Sequence, residues 1–266
     1  MNRIEQRIDD LKTKNQKALV AFITAGDPSM EATRDMFQVI EENGADIIEL
    51  GVPFSDPLAD GPVIQAASQR ALKSGTTLKK ILALVADLRK TSELPIVLMT
   101  SYNPVFVYGE DAFVNDAVAT GVDGVIIPDL PPEESGSFET FANDKGLRVI
   151  YLLAPTSTPD RVRMITERSR GFIYYISLTG VTGMQSTFSG DMATRVGEVK
   201  KVTSHPVMIG FGISGPEEAK EASHLSDGVI VGSAIVKLID QCATAEERKE
   251  KVGRFIHSIK AALNGS

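Results

Sequence analysis

The sequence predicts an α/β protein folded as a single (β/α)8, or TIM, barrel, with an extra N-terminal helix and added helices at the C-terminal end. Three observations carry that prediction. Eight short apolar, β-branched runs alternate with longer amphipathic stretches along the whole chain. The runs read as near-continuous apolar strings (ALVAFIT, PIVLMT, GVIIP, VIYLL), as expected of parallel strands buried on both faces. The length, 266 residues, suits one such barrel, and no Pro- or Ser-rich linker divides it, so 1–266 reads as one domain. A doubly wound sheet is the competing fold. Its fingerprint after the first strand, G-x-G-x-x-G, is missing: the chain reads Thr24-Ala25-Gly26-Asp27-Pro28 there.

In chain order, Arg3–Lys14 reads as a charged helix ahead of the barrel, and Ala18–Thr24 as the first strand. Met36, Val39 and Ile40 share one helical face closed by Gly44, and Ile47–Leu50 follows as strand two. Ile81, Leu84, Val85 and Leu88 repeat the pattern before Pro95 and strand three, Ile96–Thr100. Ala112, Val114, Ala117 and Val118 precede Gly121 and strand four, Gly124–Ile127. Phe138 and Phe141 precede Gly146 and strand five, Val149–Leu153. Strands six to eight are Phe172–Ser177, Val207–Gly210 and Gly228–Gly232. Glu246–Leu263 closes the chain as a helix, and its charge run Glu246 to Lys251 reads as a solvated face.

Composition narrows the function. A net charge of −7 argues against a general nucleic-acid surface, while leaving room for a local anion pocket. The single cysteine, Cys242, excludes an internal disulfide and a cysteine-cluster metal site, and fits a reducing compartment. No segment reaches the roughly 20 apolar residues that cross a bilayer. Met1–Gln16 is charged with no apolar signal core, so the expected location is the cytoplasm.

Barrels of this kind carry their chemistry at the C-terminal ends of the strands. His205 and His224 precede strands seven and eight, and His257 lies in the last helix, so all three fall on the opposite side. No strand ends in lysine either, which leaves carboxylates, hydroxyls and backbone dipoles. Carboxylates concentrate after strand two, in IIELGVPFSDPLADGP, with Glu49 in the strand and Asp56 and Asp60 in its loop. If Glu49 points into the barrel mouth, desolvation raises its pKa and suits it to proton transfer. The competing reading is a carboxylate hydrogen-bonded to neighbouring backbone. Asp60, before Gly61-Pro62, is either a site residue or the cap of the next helix.

Across the mouth, strand seven runs into Gly210-Phe211-Gly212-Ile213-Ser214 and strand eight into Gly232-Ser233-Ala234-Ile235. Glycine backbone there, together with the helix that starts near Ser233, suits a phosphate. The loop after strand six, with Gly180, Thr182 and Gly183, reaches the same region. It reads either as a lid that closes over the anion or as a slack connection.

IELGVPFSDPLADGP, with Glu49 and Asp60, closely resembles the signature of the tryptophan synthase alpha subunit family. The match continues in AFITAGDP (Ala21–Pro28), IIPDLPPEE (Ile126–Glu134), LLAPTS (Leu152–Ser157), SLTGVTG (Ser177–Gly183), GFGIS and VGSAIV, in family order over Leu19–Ile239. The resemblance implies a lyase that cleaves indole-3-glycerol phosphate to indole and glyceraldehyde 3-phosphate, in L-tryptophan biosynthesis. It implies Glu49 as the acid–base group and Asp60 as acceptor of the indole N–H. It also implies a site hydroxyl at Tyr174, although strand alternation leaves Tyr175 as a competing choice. Phe22, Met99, Ile126 and Ile230 would enclose the indole, and Gly183, Phe211, Gly212, Gly232 and Ser233 would bind the phosphate.

The same resemblance implies a beta subunit that uses pyridoxal phosphate, in an alpha-beta-beta-alpha heterotetramer, and no cofactor or metal in this chain. The implied docking residues are Pro53, Asp56, Asn103, Pro104, Phe106 and Pro132, with the loops Pro53–Asp60 and Leu178–Ser189 coupling the two activities. Met184-Gln185 departs from the pattern, where a small and often basic residue is expected, and bears on lid closure. Two rival readings stand beside the lyase. One is a magnesium-dependent phosphate-binding barrel using Glu49, Asp56 and Asp60, and the other a catalytically weak activator of a beta subunit.

Overall fold

The computed structural model describes residues 2–57, 60–176, 190–210 and 212–265. Its strands are β1 (Ala18–Thr24), β2 (Ile47–Gly51), β3 (Ile96–Met99), β4 (Gly124–Ile126), β5 (Arg148–Val149), β6 (Leu152–Leu153), β7 (Ile173–Ile176), β8 (Val207–Gly210) and β9 (Gly228–Val231). They form one parallel sheet in the order β5-β4-β3-β2-β1-β9-β8-β7-β6. Helices before and between the first strands are α1 (Arg3–Thr13), α2 (Met30–Glu42), α3 (Pro62–Lys73), α4 (Leu78–Leu88), α5 (Tyr102–Tyr108) and α6 (Glu110–Thr120). Those that follow are α7 (Gly136–Lys145), α8 (Pro159–Arg168), α9 (Gly190–Val202), α10 (Pro216–Leu225), α11 (Ser233–Gln241) and α12 (Ala245–Leu263). Every helix stretch named from the sequence is present, and α12 begins one residue before the predicted bound. Among the described residues no helix is long and apolar enough to cross a membrane.

The fifth run corrects the sequence prediction. Val149–Leu153 is not one strand but two short ones, β5 pairing with β4 and β6 with β7. Side-chain alternation nevertheless continues through the break: Ile150 and Leu152 face the barrel interior, while Val149, Tyr151 and Leu153 face the helices. The break has a local cause. The Tyr151 N–H donates to the Ser169 side chain at 3.1 Å, and that hydroxyl donates to the Phe172 carbonyl at 2.9 Å. A side chain therefore replaces a ladder bond where the sixth strand leads in. Because β5 and β6 are joined by two residues, the two ends of the sheet meet and the barrel closes.

Burial follows the pleat. One cluster fills the barrel interior (Val20, Ile47, Val97, Ile126, Phe172, Met208, Ile230), and a larger one lies between strands and helices. Ile4, Ile8 and Leu11 of α1 belong to the interior cluster, so this helix plugs the N-terminal end of the barrel. Asn2 anchors it, capping the Ile4 N–H and donating to the carbonyls of Asp123 and Gly146 at 2.9 and 3.0 Å.

The same end is stapled three times by one device. Asp46, Asp123 and Asp227 each stand directly before a strand, and each accepts the N–H of a neighbouring strand, from Leu19, Ile96 and Val207 respectively. Lys260, Arg89 and Lys200 neutralise them. Three structural carboxylates thus sit at the N-terminal end, opposite the mouth that carries Glu49 and Asp60.

Candidate active site

Register sets the site. Phe22 on β1 lies opposite Glu49 on β2, Gly51 opposite Met99 on β3, and Met99 opposite Ile126 on β4. Two glycines make room for rings in this layer. A Cβ at Gly51 would stand 2.6 Å from the Phe22 ring, and one at Gly210 would stand 2.5 Å from the Tyr174 ring. These positions need glycine for close approach, not for turn geometry.

Glu49 is 1% exposed, and neither carboxylate oxygen has a hydrogen-bond partner among the described residues. The reading as a backbone-bonded structural carboxylate is therefore excluded. Burial, and then the charge of Asp60, push its pKa up from 4.5 to about 8. Asp60 is not the cap of α3: the N-cap is Gly61, with no side-chain cap bond. Burial raises the Asp60 carboxyl as well. A buried carboxyl raised further by a neighbouring carboxylate that burial also raises is a general acid–base arrangement.

The choice between Tyr174 and Tyr175 is also decided. Tyr174 faces the interior cluster, whereas Tyr175 faces the helices. Burial, then the charges of Glu49 and Asp60, hold the Tyr174 phenol well above its usual pKa. Phe22 is buried and Met99 half-buried, and both line the cavity beside Asp60, while Ile126 and Ile230 are buried in the interior cluster.

A cavity of about 260 Å³ opens beside Asp60, between the ends of β1–β4 and α3. Its lining adds residues that the sequence reading passed over: Thr24, Ser68, Thr100, Ser101 and Asp129. The Thr24 hydroxyl is buried with no partner among the described residues. Its signal lay in the alternation of strand one, where Val20 and Phe22 point inward and Thr24 is the next such position. Asp129 is held in place by the Tyr102 N–H at 2.8 Å.

On the far side of the mouth, Gly232 is the N-cap of α11, without a side-chain cap bond, and Ser233 is its first residue. Gly212 takes a left-handed backbone, φ +77°. Thr182, Gly183 and Phe211 lie outside the described residues, as do Met184, Gln185 and the loop Leu178–Ser189. Of the implied docking residues, Asp56, Asn103 and Phe106 are exposed, Pro104 is half-buried, and Pro53 and Pro132 are buried within the chain. Phe106 is 65% and Val107 76% exposed on α5. Among the described residues no three His, Cys, Asp or Glu side chains gather as a metal site; Asp56 stays exposed while Glu49 is buried.

The family model described as tryptophan synthase alpha chain matches residues 8–264. The chain belongs to the tryptophan synthase alpha chain family. A relative of that name from Geotalea uraniireducens is 49% identical over 263 residues, covering 99% of this chain and 98% of the relative. Another, from Caldanaerobacter subterraneus, is also 49% identical and covers 99% of this chain and 100% of its own. Among solved structures, the alpha chain from Legionella pneumophila superposes with a TM-score of 0.91 at 37% identity, covering 99% of this chain and 97% of that one. A chain of Mycobacterium tuberculosis tryptophan synthase gives 0.89 at 35%, covering 99% and 98%.

Membership of the tryptophan synthase alpha family fixes the reaction. The chain is a carbon–carbon lyase of tryptophan biosynthesis, cleaving indole-3-glycerol phosphate to indole and glyceraldehyde 3-phosphate. It works in a complex with the beta subunit.

Proposed function

We propose that Glu49 carries both proton transfers of this cleavage and that Asp60 holds the ring nitrogen. The observation that carries the reading is the buried Glu49 carboxyl, without a hydrogen-bond partner among the described residues and raised to about 8 by burial and by Asp60. At neutral pH such a group is protonated, the form the first step requires. Its proton goes to the ring carbon bearing the glycerol phosphate chain, leaving a cationic ring. Asp60 accepts the ring N–H and stabilises that charge. Glu49, now a carboxylate, takes the proton of the hydroxyl on the adjacent carbon. The C–C bond breaks, its electron pair returns to the ring as indole, and the hydroxyl carbon leaves as the aldehyde. Glu49 ends protonated, as it began.

Phe22, Met99, Ile126 and Ile230 enclose the ring, and Tyr174 presents its hydroxyl beside the two carboxyls. Gly212, Gly232 and Ser233, with Thr182, Gly183 and Phe211, bind the phosphate through backbone N–H groups and the positive end of α11, which needs no basic excess. The partner beta subunit holds pyridoxal phosphate, in an alpha-beta-beta-alpha heterotetramer. It docks on the face that carries Pro53, Asp56 and Pro132 of the loops and Asn103, Pro104 and Phe106 of α5. We also read 1–266 as one domain, supported by the single sheet, and the cytoplasm as its location.

Indole release, assayed with and without a beta subunit and with and without a chelator, tests this reading. Chelator-insensitive release that the beta subunit stimulates supports it. Chelator-sensitive turnover would favour the magnesium reading, and no release in either state the activator reading.

A further inference from the structure

On the outward face of the fifth-strand segment, Val149 and Leu153 are apolar and Tyr151 is not. A phenol buried to 4% exposure costs stability unless it is hydrogen-bonded. Its hydroxyl donates to Glu139 of α7 at 2.7 Å and lies 2.5 Å from the hydroxyl of Ser135. Ser135 in turn donates to the Pro132 carbonyl at 3.1 Å, in the loop that leaves β4. Arg168 of α8 closes the cluster, its Nε donating to Glu139 at 2.7 Å. A phenylalanine would fill the same volume, so the hydroxyl serves the network rather than the packing.

The backbone of Tyr151 reaches the other way. Its carbonyl accepts the N–H of Tyr174 at 3.3 Å, and the next residue, Leu152, pairs with Tyr174 and faces the barrel interior beside it. This contact falls at the first bridge of β6, directly after the two-residue break. One residue thus links the loop at Pro132 to the ring that fills the space over Gly210.

We propose that Tyr151 is a positioning residue for the cleavage: it holds Tyr174 in place through the backbone and ties that position to the Pro132–Ser135 loop. The inference rests on the reading of Glu49, Asp60 and Tyr174 as the site and of Pro132 as part of the docking loop. A change in the loop on docking then shifts Ser135, Tyr151 and Tyr174 together, which gives the beta subunit a path into the site distinct from the Pro53–Asp60 loop.

The test is steady-state indole release by Tyr151→Phe, alone and in complex with a beta subunit. We expect kcat in the complex to fall roughly five- to tenfold, the weight of one lost hydrogen bond, with KM changed less than about twofold. Stimulation by the beta subunit falls in the same proportion. Ser135→Ala reproduces the loss, Ser135→Thr restores it, and the double variant Tyr151→Phe/Ser135→Ala is no worse than either single one. A folded Tyr151→Phe with wild-type kcat and wild-type stimulation would overturn the proposal, as would a lowered melting temperature with unchanged kinetics. Loss of the fold in both single variants would also overturn it, since the network would then hold the core rather than the site. Activity surviving Glu49→Gln would sink the site reading separately, and the two failures are distinguishable.

Discussion

Gly210 on β8 meets the ring of Tyr174 on β7 so closely that a Cβ there would stand 2.5 Å from Cε1 and 2.7 Å from the hydroxyl oxygen. Nothing larger than glycine fits while Tyr174 keeps its position. Gly210→Ala is therefore expected to displace the ring at an overpacking cost of about 1–3 kcal/mol. It should cut indole release by at least about tenfold, because a misplaced site group affects rate more than binding. Urea unfolding and the release assay measure the two effects separately.

Glu49 makes stability depend on pH in an unusual direction. Its carboxyl pKa is 4.5 before burial and about 8 in the fold, so between these values the folded chain holds a proton that the unfolded chain has released. The stability from that proton is complete below 4.5 and is lost as pH rises toward 8. Glu49→Gln has no such dependence. Its melting temperature should draw ahead of the wild type as pH rises from 5 to about 8, and the gap should then level off. A constant difference across that range would contradict the raised pKa.

Thr24 offers a trade between stability and function. Its buried hydroxyl lacks a partner among the described residues and lines the cavity beside Asp60. Thr24→Val keeps the shape and removes the unsatisfied group, so the ligand-free chain should gain about 1 kcal/mol. The hydroxyl is placed to bond substrate instead, so kcat/KM should fall in the same variant, and denaturation and kinetics read the two changes.

Asp123 lies far from the chemistry. It accepts the Ile96 N–H at 2.8 Å and pairs with Arg89 at 2.6 Å at the plugged end of the barrel. Asp123→Ala leaves Arg89 without its partner carboxylate and should cost about 3 kcal/mol in urea unfolding. KM for indole-3-glycerol phosphate should stay unchanged, since only the N-terminal end is affected.

The barrel was legible because strands buried on both faces show as apolar runs, and because Glu49 breaks one of them. Asp60 stood out only beside Glu49, and its rival role as a helix cap needed the Gly61 N-cap to be seen. The split at Ile150–Tyr151 was not legible, because its cause is Ser169, a side chain 18 residues away. Nor could a run spanning Phe172–Ser177 say which tyrosine faces inward, since alternation gives a period without a phase. The burial of Pro53 and Pro132 depends on tertiary contacts that no local pattern records. The Asp46, Asp123 and Asp227 staples, by contrast, are plain in the sequence as an aspartate directly before three of the strands.

The most direct test of the acid–base assignment is indole release by Glu49→Gln at saturating substrate, with glycerol 3-phosphate binding measured on the same preparation. The assignment predicts a loss of about 10²–10⁴-fold in kcat, the usual weight of a general acid–base group, with the phosphate ligand still bound. Turnover within about tenfold of the wild type would contradict it.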